Sequence, residues 1–443
     1  MLNSAFKEIS VNKILRLFFF ILIASCSMDQ KSGIWSKKNI IEIENDLTVE
    51  ELFKDDKNFN QEFNSNVRIQ LKLKLSKNSI TNNLTNNNGR INYDGNLETI
   101  SRYKFSKIDN FNKFEPEIIF DKENIIFFNN KGSILKFDQF SKLLWKKNYY
   151  KKGEKKMKPM LNMAIYENYL IVADNLAKYY AVDVETGNLL WMKNNIAPFN
   201  SQIKIYKNNF LVTDFQNILR CYSIKDGKEI WSVKTDTSFI KSQKKLSLII
   251  SDEKVYFNNT IGDISAVDID NGNLIWQTPT QDSSIYESSF QLKTSDLIVA
   301  NKSILFSNNK NEFYSLDINT GTLIWQQKIN STVRPTVIDN FIFSVTEEGF
   351  LAIIEFETGN IIRMTNIFDR IKEKRRSKIK PVGFIVGTKN IYLTTNNGRL
   401  IIIDVFNGKS SLMLKIDNEK ISRPFILDKK LFIIKDSAII KLD

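Results

Sequence analysis

The side chains that most often carry chemistry are scarce in this chain of 443 residues. Histidine is absent, which removes the commonest general base and the commonest neutral metal ligand. There are two cysteines, Cys26 and Cys221. Cys221 lies in the largely apolar run Ile218-Leu219-Arg220-Cys221-Tyr222 and reads as a small buried strand residue with no histidine to activate it. Asp268-Ile269-Asp270-Asn271-Gly272 has the opening carboxylates of a calcium loop, but the remaining ligands of such a loop do not follow. No phosphate-binding loop, zinc cluster, nucleophile elbow or dinucleotide fingerprint occurs. The residues therefore predict no catalytic centre, no metal and no cofactor.

The other concentrated chemistry is charge. Lys and Arg number 63 against 50 Asp and Glu, a net +13, scattered along the chain rather than gathered into one stripe. One exception is Arg370–Lys380, with seven basic residues among eleven, read as a long loop between strands. Such a loop is either simply solvated or meets anionic lipid headgroups or an acidic partner face.

Ahead of Cys26 stand Lys7, Lys13 and Arg16, the short apolar run Leu17–Ile23, and Ala24-Ser25. A basic start, a short apolar stretch and small residues describe a signal peptide over 1–25, too short to span a bilayer. Ile23-Ala24-Ser25-Cys26 resembles the bacterial lipobox. That resemblance implies lipidation of Cys26, and Ser27 after it implies sorting to the outer membrane. With Cys26 lipidated, Cys221 has no partner for a disulfide. Nucleic acid is not an expected partner of an exported protein.

Residues 26–90 read as a tether. Glu42–Asp56 is acidic, with apolar residues spaced for a short helix. Val67–Leu75 alternates apolar and polar residues as a half-buried strand does, packed on its own domain or added to a partner's sheet edge. Thr81–Gly89 (TNNLTNNNG) reads as a mobile loop.

Beyond these lies a repeat. Asp183-Val-Glu-Thr-Gly187-Asn-Leu-Leu-Trp191 recurs around Gly227 and Trp231, Gly272 and Trp276, and Gly321 and Trp325. Weaker copies end at Arg363 and Leu412, and a shorter one without glycine ends at Trp145. Successive end positions lie 38 to 49 residues apart. Each period holds four apolar segments separated by turns, and the glycine supplies the positive φ that the last turn needs. This predicts an all-β, eight-bladed propeller over 91–443, built of four-stranded antiparallel blades. Trp145, Trp191, Trp231, Trp276 and Trp325 are expected to dock between blades. The chain stops short of an eighth end position, so the last blade borrows an outer strand from the N-terminal side, expected at Tyr103–Ile108. Closing the ring removes exposed sheet edges.

The D-x-x-T-G-x-x-x-W turn resembles the quinoprotein-type propeller repeat, and Asn92-Tyr93-Asp94-Gly95-Asn96 is similar to the segment preceding it in that family. With the lipobox, the chain resembles the BamB family of outer-membrane assembly lipoproteins. That resemblance implies a non-enzymatic scaffold, a monomer within a complex. It would be anchored in the outer membrane and face the periplasm, binding the periplasmic domains of a BamA-like insertase rather than a small-molecule substrate. It also implies that the segment after Trp231, here Phe239-Ile240-Lys241, touches the partner. The family's arginine is missing there, and its acidic pair is missing around Phe290-Gln291-Leu292-Lys293. The alternatives are a quinoprotein dehydrogenase, whose family uses pyrroloquinoline quinone, calcium and adjacent disulfide-linked cysteines, or another periplasmic protein-binding propeller.

Overall fold

The structure, a computed structural model, describes residues 60–62, 69–72, 75–76, 78, 83–109, 111–237, 242, 244–280 and 292–443. The chain divides into two units, residues 1–58 and 59–443, and the architecture below is that of the second. Cys26, the acidic stretch Glu42–Asp56 and Phe239–Lys241 lie outside the described residues.

Alternation of apolar segments with tight turns leaves the backbone one economical solution, the antiparallel meander, in which each strand pairs with the next. Seven such meanders follow one another at residues 119–147, 161–194, 204–234, 248–278, 298–327, 336–366 and 381–415. An eighth is made of Phe425–Leu427, Lys430–Lys435 and Ala438–Leu442, completed by Thr99–Lys104. Together they form an eight-bladed β-propeller. The first strand of each blade lies innermost, beside the first strands of its neighbours, and the fourth lies outermost. The core lies between blades. Ile249, Tyr256 and Ala266 of blade four pack on Leu297, Ile304, Phe306 and Leu316 of blade five, all buried.

The repeat's glycine and tryptophan turn out to be one device. Trp145, Trp191, Trp231, Trp276 and Trp325 stand on outer strands, half-buried. Each donates its indole N–H to a backbone carbonyl in the last turn of the next blade: Val184, Ile224, Ile269, Ile318 and Phe356, at 2.9–3.3 Å. Each indole also lies against that turn's glycine. A Cβ at Gly321 would meet Trp276 Cε3 at 2.5 Å, and one at Gly227 would meet Trp191 Cζ3 at 2.6 Å. These glycines have φ of +65° to +78°, so the position forbids a side chain twice over.

The closing strand comes four residues earlier than Tyr103–Ile108. In blade four the outer strand skips one residue, so that Leu274 opposes Val267 and Trp276 opposes Ala266. In blade eight Thr99 opposes Leu442 and Ser101 opposes Lys441, which puts Ser101 in the tryptophan's place. Leu97, at φ +64°, stands where the glycine would be. Asn92–Asn96 explains itself here: Tyr93 donates its hydroxyl to the Asp443 carbonyl at 2.8 Å, and a Cβ on Gly95 would lie 2.2 Å from that oxygen.

Asn60–Glu62 adds a fifth strand to the outer edge of blade six, with Asn60 opposite Thr365. Of Val67–Leu75, Ile69 and Leu71 are half-buried against the core of blades six and seven while Gln70 and Lys72 point outward, packing on the chain's own domain. The described residues there form no regular strand.

Residues 83–91 depart furthest from expectation. Instead of a mobile loop, they cross the axial channel along the inner edges of successive blades. Ile250 and Val299 donate their N–H groups to the carbonyls of Leu84 and Thr85, and Ile91 donates to Val386. Asn86 is 1% exposed. Its amide nitrogen donates to the carbonyls of Leu248 (3.2 Å) and Leu297 (3.0 Å). Asn87 Oδ1 accepts from the Val337 N–H at 3.1 Å. An inner strand has one unpaired edge, and this asparagine-rich segment supplies the missing donors and acceptors.

Two stability measurements follow. Trp276→Ala removes a half-buried indole and its hydrogen bond. It should cost about 2 kcal/mol, below the ~3–5 kcal/mol of a fully buried aromatic, with urea unfolding as the check. Asn86→Ala strands two buried carbonyls and takes one of two acceptors from the buried Lys204 ammonium, and should cost about 2–4 kcal/mol in the same assay. A freely moving loop would show no change.

Candidate functional site

Each connection between blades leaves an outer strand and enters the next inner strand, so all of these connections lie on one face of the disc. The turns inside the repeat motif lie on the other. The connecting face and the axis beneath it hold the candidate functional residues.

Two connections carry the segments that sequence singles out. That from blade three to blade four contains Phe239–Lys241, of which the described flanks can be placed. Ser242 donates its N–H to the Thr260 carbonyl (2.9 Å) and its hydroxyl to the Leu292 carbonyl (2.7 Å). Lys244 Nζ reaches the Thr332 carbonyl at 2.8 Å. Leu292 belongs to the connection from blade four to blade five, so the two segments are tied at their bases. The basic loop Arg370–Lys380 joins blades six and seven and contains one helical turn, Glu373–Arg376. Arg370 donates to the Ser411 carbonyl (2.7 Å) and Arg376 to those of Ile371 (2.8 Å) and Asp369 (2.9 Å). Those two arginines hold the loop's shape, while Lys372, Lys374 and Arg375 are exposed.

Beneath this face a charge cluster surrounds the axis. Glu117, Gln202, Asp296, Arg334 and Arg423 each stand two residues before an inner strand, in blades one, three, five, six and eight. Glu117 lies 2.9 Å from Arg423 and 3.9 Å from both Arg334 and Lys245. Arg334 Nε donates to Asp296 at 2.7 Å, and the same carboxylate lies 4.0 Å from Arg423. Burial would raise the Asp296 carboxyl, but Arg334, Lys244 and Arg423 hold it well below the usual range. Glu117 is likewise held low, against its burial, by Lys245, Arg423 and Arg334.

Lys204 opens the inner strand of blade three and donates to the Asn83 carbonyl and, at 2.7 Å, to Asn86 Oδ1. Burial, with Arg334 the strongest of the cations beside it, pushes its ammonium down to about 7. The axial segment thus ends against the charge cluster. Sequence reading missed the cluster because it was aligned on the outer strand. Alignment on the residue two before each inner strand would have shown five polar side chains at one repeat position.

The residues that a quinoprotein cofactor would need do not come together. Asp268 Oδ1 accepts the N–H groups of Asp270 (3.0 Å) and Asn271 (3.1 Å), closing the turn rather than facing a cation. Among the described residues no group of three or more acidic, Cys or His side chains could hold a metal. The axial carboxylates Glu117 and Asp296 are bound to arginines. Cys221 is buried in blade three, its thiol pushed up to about 12 by burial, and it is the single cysteine among the described residues. An axial cavity beside the inner strands of blades one to three measures about 190 Å³, against roughly 300–1,000 Å³ for pockets of drug-sized ligands. These residues do not fit the group.

The sign of the Lys204 shift gives a test. Between pH 7 and its unfolded value near 10.5, the unfolded chain holds a proton that the folded chain has released, so stability rises with pH. Below pH 7 the penalty of the buried charge is complete. Melting temperature should therefore climb from pH 7 to 9, and Lys204→Met should flatten that slope.

A family model described as outer membrane protein assembly factor BamB matches residues 107–365. No curated protein sequence matches the chain. Among solved structures, BamB from Moraxella catarrhalis superposes with a TM-score of 0.62 at 13% identity, covering 78% of this chain and 100% of that one. A europium-containing methanol dehydrogenase gives 0.60 at 11% identity, covering 81% and 89%. The quinohemoprotein alcohol dehydrogenase of Comamonas testosteroni gives 0.58 at 10%, covering 80% and 78%. At such identities these likenesses speak for the fold alone.

Proposed function

The chain belongs to the BamB family of outer-membrane protein assembly factors, and from that premise we propose that it is a non-enzymatic scaffold of β-barrel assembly. In this reading Cys26 carries lipid and anchors the mature chain to the outer membrane, facing the periplasm. The connecting face then binds the periplasmic domains of a BamA-like insertase. The observation that carries the proposal is the family match across residues 107–365, over half the chain. The hydrogen bond from Ser242 to Leu292 supports the location, since it joins the described bases of the two connections that the resemblance implicates.

The departures from the family favour an apolar contact over a charged one. Phe239 and Ile240 remain, while Lys241 stands where no arginine is available for bidentate pairing. A partner that relied on such pairing would lose a hot spot here, whereas one that seats an aromatic side chain would keep it.

The test is affinity capture of the mature protein from its own detergent-solubilised envelope, with bound proteins identified by mass spectrometry. A large outer-membrane β-barrel with soluble periplasmic repeats should be recovered. Phe239→Asp with Ile240→Asp should reduce that recovery tenfold or more without lowering the melting temperature. Capture of no such barrel, with a quinone or calcium bound instead, would move the protein to the dehydrogenase class.

A further inference from the structure

The connecting face carries two strongly basic connections, of which Arg370–Lys380 is only one. Residues 146–158 run from the end of blade one's outer strand into its connection with blade two. They hold seven lysines among thirteen residues and one carboxylate, Glu154, which lies 2.7 Å from Lys178. Arg370–Lys380, between blades six and seven, holds seven basic residues among eleven and one carboxylate, Glu373. Lys151, Lys152 and Lys156 of the first connection are exposed, as are Lys372, Lys374 and Arg375 of the second. Among the described residues none of these six side chains forms a salt bridge.

Their places on the ring make them one surface. Blades seven, eight and one lie between the two connections, while the connections of blades three to five stand on the opposite side of the same face. Within the basic sector Asp109 is paired with Lys158 at 2.6 Å and Asp417 with Lys435 at 2.5 Å, and Glu419 stands 4.0 Å from Lys107. Those carboxylates therefore do not answer the six exposed cations. Met157, directly after Lys156, is 63% exposed. A long apolar side chain set among lysines is the pattern of segments that lie at a lipid headgroup boundary. Finally, Asn60, where the described residues begin, pairs with Thr365 at the end of blade six from which the basic loop leaves. The chain thus joins the propeller on this face, in the basic sector.

We propose that this sector of the connecting face rests on an anionic lipid surface, with both basic connections touching the headgroups. Two charged loops held apart by three blades present a broad plane rather than a cleft, and a membrane offers negative charge over a matching area. A single acyl chain gives only marginal membrane binding, whereas one chain together with a basic patch gives a stable anchor. The contact leaves the connections of blades three to five free for a protein partner. The choice of membrane rests on the outer-membrane reading above, but the contact itself requires no acyl group.

The experiment is vesicle flotation of the mature chain carrying Cys26→Ser, which removes lipidation from the measurement, so that the contact and the anchor succeed or fail separately. Vesicles of phosphatidylethanolamine with phosphatidylglycerol are compared with vesicles of phosphatidylcholine alone. Binding to the anionic vesicles is expected in about 0.01 M salt, where charges act over about 30 Å, and its loss in about 1 M, where they act over about 3 Å. Each basic residue near an anionic surface strengthens binding about fivefold. Lys151→Gln, Lys152→Gln and Lys156→Gln together should therefore weaken partition tenfold or more, and so should Lys372→Gln, Lys374→Gln and Arg375→Gln together. Lys207→Gln, Lys225→Gln and Lys228→Gln, exposed on the opposite face of the disc, should leave it unchanged. All these sites are exposed, and an unaltered melting temperature checks that each variant folds. No binding to anionic vesicles would mean that the loops are solvated or meet an acidic protein instead. Equal binding to phosphatidylcholine would mean apolar adsorption. An equal loss in the opposite-face variant would mean that net charge alone acts, and a loss in one basic connection only would mean that the two do not form one surface. Each of these four results overturns the proposal.

Discussion

An indole lying on a glycine is the contact by which one blade holds the next. The tryptophan occupies the outer strand of one blade, and the glycine with its flanking carbonyl belongs to the last turn of the following blade. Neither half is satisfied inside its own blade. The turn alone would leave a carbonyl facing solvent, and the outer strand alone would leave a large aromatic exposed. Joining blades in series therefore solves both problems with one contact, repeated five times. The requirement is also what makes the sequence repeat visible, because the indole offers both the large flat area and the ring N–H donor that the contact uses.

A ring built on such contacts still has edges. The outermost is met at blade eight by Thr99–Lys104, drawn from the other end of the chain, and at blade six by the added strand Asn60–Glu62. The innermost edges are harder, because eight strands converge on a channel too narrow for another sheet. Residues 83–91 meet that constraint with side-chain amides as well as backbone, since Asn carries a donor and an acceptor on a short stem. Asn86 serves carbonyls of blades four and five and the Lys204 ammonium of blade three at once. The same stretch thereby links blades that are not neighbours in sequence.

What the sequence reveals follows from which interactions repeat. The fold class, the number of blades and the interlocking tryptophans were legible because one contact recurs with fixed residue types. Blade eight was legible in principle but misplaced by four residues, since Ser101 and Leu97 fill the tryptophan and glycine positions without resembling either. The asparagine-rich segment was opaque for a different reason. Its composition suits a solvated loop as well as a buried plug, and its partners are mostly backbone groups, which leave no trace in side-chain pattern. The axial charges lay between these cases, occupying a repeated position but varying among Glu, Gln, Asp and Arg. Cys26 and Phe239–Lys241 fall outside the described residues, so their roles rest on the resemblance and on the capture experiment.

The distribution of constraint argues for where specificity resides. The faces between blades are committed to packing, the motif turns to the indoles, and the axis to the resident segment and its charge cluster. Apart from the polar residue that several of them place two positions before an inner strand, the connections between blades share none of these duties and differ widely in length, from the short 328–335 to the long 279–297. Their bases are nonetheless fixed, by Ser242 on Leu292 and by Arg370 on Ser411, so that variable tips stand on rigid supports. Such a combination suits any contact surface, because a contact held in place loses less entropy on binding than one that must first be ordered. The propeller thus commits its repeating elements to rigidity and leaves its connections as the segments least bound by the repeat.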